Sequence, residues 1–410
     1  MARWFPCGGG IDANVRRLYL YCFLVNLQLW LPTWVLYLQR ERGLSLGQIT
    51  ALDAPFWLIV VLSQVPTGAF ADRWGRRTSL VVGGVLYAFA LAAFGVADSY
   101  ALILGSYALW AVSMAFASGA DMALLYDDLA ASGRVQEFPR AAGRYYSVMA
   151  AASILALLVG APLAQATRLD VPVLASAAVA LASGLLAWTL HESPRRTPER
   201  PGFWTTIRRG ALVSWREPRL RYMLAFSAVI RAVNFVPVIF TQPFLVHIGV
   251  PVGQFGLLQT PGRVLSVAAA LIVHRVQRRI AERRLFAGLL AWVVGCLALL
   301  SVWNSPLAFI AFPLLAPALS AANPLFSDYL NRHIPEEQRA TVLSLGQLLG
   351  SVLLMGFEPL LGATAQAGGL TAGFVVGLGC VGICGAATLG PWLTLRSRDA
   401  APAAAADPVG

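Results

Sequence analysis

"GAFADRWGRR" occupies residues 68–77, between an apolar run from Ala54 to Val65 and another from Leu80 to Ala97. One aspartate and three arginines, framed by Gly68 and Gly75, interrupt a chain that is otherwise oily here. Glycine lets a backbone turn sharply. Arginine beside an apolar helix holds that helix end on the arginine-rich side of a bilayer. Anchoring accounts for Arg73, Arg76 and Arg77, but not for Asp72 or for the glycine spacing.

The rest of the chain sets the context for this stretch. Of 410 residues, 58% are hydrophobic and 12% charged, against about 25% charged in a soluble domain. Apolar runs of 18 to 25 residues recur along most of the length, each long enough to cross ~30 Å of hydrocarbon as a helix. The chain reads as an all-α, polytopic membrane protein. Its net charge of +11 belongs to loops between spans and does not indicate nucleic acid. All 31 basic residues are arginine, which excludes lysine chemistry such as a Schiff base. Cys380 and Cys384 lie one helical turn apart in an apolar segment and read as a small-residue packing face, without the histidines or second cysteine pair of a metal site. No metal or other cofactor is expected. The first apolar run lacks a small-residue cleavage site and is read as an uncleaved first span.

Twelve spans are predicted, at 16–38, 49–70, 79–97, 100–125, 143–165, 172–190, 221–246, 253–273, 285–303, 306–328, 338–362 and 371–394. They divide into a six-helix bundle over 1–190, a linker over 191–220, a second six-helix bundle over 221–396 and a disordered tail over 397–410. Within the linker, Phe203, Trp204, Ile207, Ala211 and Trp215 recur at helical spacing between arginines, the pattern of an interfacial amphipathic helix. Arginines crowd one set of loops, and the opposite loops hold only Arg40, Arg42 and Arg168. That bias predicts both termini in the cytoplasm. The halves also repeat: "GLSLGQI" at 43–49 matches "GVPVGQF" at 249–255, Pro55 matches Pro261, and "DRWGRR" falls on "RRIAER". One position earlier in register, Pro32 matches Pro237. Parallel six-helix repeats with a midplane site at their interface are a transporter architecture.

With that frame in place, residues 68–77 resemble the loop 2–3 signature of the major facilitator superfamily, G-x-x-x-D-R-x-G-R-R, and the resemblance in span count and repeat covers nearly the whole chain. It implies a gating latch formed by Gly68, Asp72, Arg73, Gly75, Arg76 and Arg77. In that family the motif aspartate sits against the N-terminal end of span 11, where unpaired N–H groups attract negative charge. A motif arginine pairs with an acid at the inner end of span 4. Carried over, Asp72 faces the helix start near Arg339-Ala340-Thr341, and Arg76 reaches Asp121, Asp127 or Asp128. The second half carries Arg278 and Arg279 and no aspartate at the related positions, which argues against a symmetric second latch. "SGADMALLYDDL" at 118–129 and "RATVLSLGQ" at 339–347 also resemble stretches of bacterial members, and neither names a substrate.

Charges inside the spans point to a site. Arg231 and Arg263 each lie ~15 Å from a span end, near the midplane. An arginine there must face a cavity or pair with an acid, Glu358 being one candidate. Asn26, Gln28 and Asn234 lie at similar depth and are expected to line the cavity beside Trp30 and Phe235. Asp53 and Glu358, nearer the outer ends of spans 2 and 11, are candidates to carry a coupling proton, H+; the alternative is an acid wetted by an outer vestibule.

No nucleophile–base set or phosphate loop is visible, so the chain is not expected to be an enzyme or to couple directly to ATP. The leading expectation is a secondary transporter in the inner (cytoplasmic) membrane, working as a monomer, that exports a small organic substrate against protons. "LLVGAPLAQ" at 157–165 resembles the span-5 motif of drug/proton antiporters but lacks the double glycine after Pro162. Uptake or exchange of an organic anion is the alternative, favoured by the two midplane arginines. A receptor or scaffold on a transporter fold is a third.

Overall fold

A computed structural model describes residues 11–192, 217–302, 305–334 and 339–395. The proposed amphipathic helix of the linker and the C-terminal tail lie outside the described residues. Within them the chain is helical throughout, because hydrocarbon offers no partner for a backbone N–H or C=O and a helix satisfies both internally. The first half holds span 1 (Ile11–Asn26 and Trp34–Arg40), span 2 (Leu46–Ala51 and Asp53–Trp74), span 3 (Arg76–Val96), span 4 (Tyr100–Ala117 and Ala120–Ala131), span 5 (Phe138–Ala166) and span 6 (Val171–Ala187). The second half holds span 7 (Pro218–Val233 and Phe235–His247), span 8 (Phe255–Arg279), span 9 (Glu282–Val302) and span 10 (Ala311–His333). Spans 11 and 12 run together as Arg339–Thr394 and bend at Gly369, whose φ is 79°.

Local sequence explains the boundaries. Ser45 and Gln48 form a reciprocal capping box at the start of span 2. The Ser99 hydroxyl accepts from the Leu102 N–H at the start of span 4. Gly75 takes φ 106° where span 2 ends and span 3 begins, a conformation that penalises any side chain. Spans 1 and 7, expected as single helices, are each broken near mid-depth. Pro32 removes a donor from the stretch between Asn26 and Trp34, and span 7 bends at Asn234, three residues before its repeat mate Pro237.

Each half has an aromatic centre. Trp30 is 4% exposed and sits edge-on to both Trp34 and Trp110. In the second half Phe286 stacks on Phe326 and stands edge-on to Trp392. The outside of the bundle is apolar instead of polar: Leu271 is 73% exposed and Ile383 72%, so these faces require lipid. The chain is a multi-pass membrane protein with twelve spans in two six-helix bundles.

The seam between the halves is closed at one end, called here the far end, opposite residues 68–77. There span 8 presses on span 5 so tightly that a Cβ on Gly256 would overlap the Leu157 carbonyl. The Gln242 side chain plugs the break in span 1. Its amide NH2 donates to the Leu31 carbonyl at 3.0 Å, and its oxygen accepts from the N–H of Val35 at 2.9 Å. Gln259 donates to the Pro32 carbonyl, Gln366 accepts from the Gly47 N–H, and Gln165 accepts from the Gly253 N–H. Four glutamine side chains thus stitch the two halves together at this end.

Candidate functional site

The closed far end leaves a cavity of ≈ 720 Å³ between the halves, extending toward the motif end. Asn26 and Trp57 line it from the first half, and Arg231, Asn234 and Phe235 from the second. A second cavity of ≈ 270 Å³ carries Arg263, Gln259 and Ser320. Asn234, Leu319 and Asn323 border both cavities, which are therefore neighbours. Arg231 fits because Gly350 on span 11 has no side chain: a Cβ there would come within 2.9 Å of Arg231 Cδ. The Arg231 Nε is buried without a hydrogen-bond partner. Neither Arg231 nor Arg263 has an acid among its electrostatic neighbours within the described residues.

Two of the expected liners are elsewhere. Trp30 belongs to the aromatic centre of the first half, where its Nε1–H donates to Tyr87 Oη. Gln28 lies in the turn that breaks span 1 and borders neither cavity. Asn323 was not anticipated. The signal available was an asparagine before Pro324 inside an apolar run.

Glu358 does not pair with Arg231. It faces Asp53, within hydrogen-bonding reach, across the seam between spans 2 and 11. Asp53 is 6% exposed and Glu358 1%. Both lie beyond the cavity on the far side of Trp57 and Leu354, which line it.

At the motif end, Arg76 Nη1 donates to Asp127 Oδ2 at 2.5 Å. The other two candidate acids are engaged differently. Asp128 accepts from the Asn14 amide, and Asp121 accepts from Tyr145 Oη at 2.5 Å while bordering the cavity. The backbone N–H of Arg76 donates to Glu192, which fills the space a Gly75 side chain would need. Arg77 donates to the Leu190 carbonyl, and the Arg73 guanidinium lies 4.8 Å from the Trp74 ring centroid. Gly68 is exposed, and among the described residues a side chain there would meet open space. Asp72 has a partner, and the side chains of Arg339, Ala340 and Thr341 lie outside the described residues. In the second half Glu282 pairs with Arg332 at 2.6 Å.

This architecture has known counterparts. The family model described as the Major Facilitator Superfamily matches residues 18–357. The chain belongs to the Major Facilitator Superfamily. A solved structure of the nucleoside transporter NupG shares the fold at TM-score 0.79 and 15% identity, covering 93% of this chain and 100% of that one. So does a D-xylose–proton symporter, at TM-score 0.71 and 14% identity, covering 93% and 96%. A probable vesicular acetylcholine transporter-B of Danio rerio is 26% identical over 285 residues, 67% of this chain and 55% of that protein. An uncharacterized MFS-type transporter, YxaM, of Bacillus subtilis (strain 168) is 31% identical over 88 residues, 22% of each. The chain thus spans about half the length of the first of these superfamily relatives and about a fifth of the second.

Proposed function

We propose that this protein is a secondary transporter that moves a small organic anion through the cavity between its halves by alternating access. The observation carrying this reading is the pair of arginines, Arg231 and Arg263, bordering neighbouring cavities with no acid to neutralise them among the described residues. A guanidinium stays charged at any physiological pH and offers a planar fork that matches a carboxylate or phosphate with two hydrogen bonds. An unneutralised arginine at membrane depth costs several kcal/mol, which a bound anion offsets. The arginine field favours an anionic over a cationic compound. The zebrafish relative's name points to a quaternary amine as its substrate. Here the carboxylate bordering the cavity, Asp121, is already engaged by Tyr145.

The motif end is proposed to face the cytoplasm, by the arginine bias of its loops. On that orientation the cavity extends toward the cytoplasm and the glutamine-stitched seam seals the outer side. Asp72 is proposed to act when the cytoplasmic end closes, while the Arg76–Asp127 bond within the first half holds the motif loop in place. Counterflow in proteoliposomes tests the substrate class: a panel of mono- and dicarboxylates and organophosphates is set against acetylcholine. Exchange of an anion that depends on Arg231 supports the reading. Preference for the quaternary amine overturns it.

A further inference from the structure

The Asp53 and Glu358 carboxyl groups belong to different halves and face each other in the closed far end. Asp53 Oδ2 and both Glu358 oxygens are buried without a donor from any described residue. Among the described residues no arginine faces them, and the other titratable groups nearby are the phenols of Tyr100 and Tyr107 on span 4. An ionised carboxylate only accepts hydrogen bonds. Two such groups, facing at bonding reach in a dry seam, repel unless a proton lies between them to supply the missing donor. One turn along each helix, Trp57 and Leu354 border the central cavity. Four residues of helix place the pair ~6 Å beyond the cavity floor.

We propose that Asp53 and Glu358 together form a proton-binding site across the seam, and that the shared proton holds the far end of the molecule shut. Loss of the proton leaves two like charges on opposite halves. The halves separate there, and water reaches both groups. Protonation removes the repulsion and lets the seam close again. The site therefore takes up its proton from the far side, in the state open to that side, and delivers it past Trp57 and Leu354 toward the central cavity. It supplies a coupling ion to the transport cycle proposed above, but it operates without substrate and stands apart from the arginines.

The test measures the far end directly. Spin labels at Gln39→Cys and His247→Cys, which border one vestibule from opposite halves, are introduced after replacing the native cysteines. Distances are recorded by pulsed electron resonance in nanodiscs across a pH titration, with no substrate present. The parent is expected to show a short distance at low pH that lengthens as pH rises. The double variant Asp53→Asn/Glu358→Gln is expected to stay short throughout, because its amides keep a donor and carry no charge. Single Glu358→Gln, whose amide donates to Asp53, is expected to do the same and serves if the double variant folds poorly. A parent distance that ignores pH overturns the proposal, as does a transition that survives in the neutral variants. If the distance responds as expected while no anion is transported, the proton site stands and the substrate reading fails.

Discussion

Arg76 pairs with Asp127 in the first half, and Glu282 pairs with Arg332 in the second. By the repeat register Glu282 falls on Arg76, and Arg332 falls within one residue of Asp127. The same bond recurs at the same place with its charges exchanged. Its task, tying the loop after the second helix of each bundle to the fourth, is indifferent to sign. Asp72 has no such mate: Arg278 stands at the related position. The cavity is equally lopsided. Where the second half presents Arg231 and Arg263, the first presents Asn26 and Trp57, neutral residues that line the same space. Bonds that hold a bundle together survived in both copies, whereas the charges placed to meet a ligand or the other half occur once.

The largest effect is expected at Arg231, which the first half does not duplicate. Arg231→Gln removes a charged hydrogen-bonding group worth about 2–3 kcal/mol to an anion. The half-saturating concentration of an anionic substrate in proteoliposome uptake should rise roughly 30- to 150-fold. Among the described residues no acid is stranded by the change, so the melting temperature should hold. An early-melting variant rescued by neutralising Glu358 would instead make Arg231 part of a structural pair.

Next comes the mirrored bond itself. Arg76→Glu sets a second acid against Asp127 at a site about one-fifth exposed. The cost lies between that of surface and buried pairs, about 1.5–2 kcal/mol. Thermal melts should show the loss, and adding Asp127→Arg should restore most of it, since that combination copies the polarity of the second half. Failure of the exchanged pair to rescue would break the equivalence.

Asp72 is expected to matter for cycling and not for stability. Asp72→Asn keeps shape and removes a charge worth about 1 kcal/mol beside a helix start, so transport should fall roughly fivefold at unchanged yield. Arg278→Gln, at the related position, should leave transport near the parent rate. Equal effects at both sites would dismiss the single-latch reading. The smallest effect belongs to Glu282→Gln. Arg332 also holds Asp328 at 2.7 Å and is 53% exposed, so the melt should move by less than about 0.5 kcal/mol.

Much of this was legible in the residues. Residues 68–77 and the six-plus-six repeat specify the superfamily fold, because apolar length and arginine bias act over short stretches of chain. Depth along a span is also a local quantity, and it puts Arg231, Arg263, Asn26 and Asn234 at the level of the cavities they border. Facing is not local in the same way. Trp30 stands at the same depth as these residues, but its ring turns into the first-half core, a choice set by Trp110 and Tyr87 on other helices. Arg76 had three acids within plausible reach, and the bend of span 4 between Ala117 and Ala120 decides which one it meets. Asp53 and Glu358 were each conspicuous, but their meeting depends on how one bundle docks against the other. Breaks in spans 1 and 7 escaped because hydropathy averages across them.

Gln242, Gln259, Gln366 and Gln165 close the far end with amides and backbone groups, all uncharged. Such bonds exchange for water at a net cost of only about 1 kcal/mol each. Screening by dissolved salt barely touches them. These four bonds together oppose opening by roughly 4 kcal/mol whatever the ionic strength, so salt and pH act on the far end through the facing carboxyls of Asp53 and Glu358.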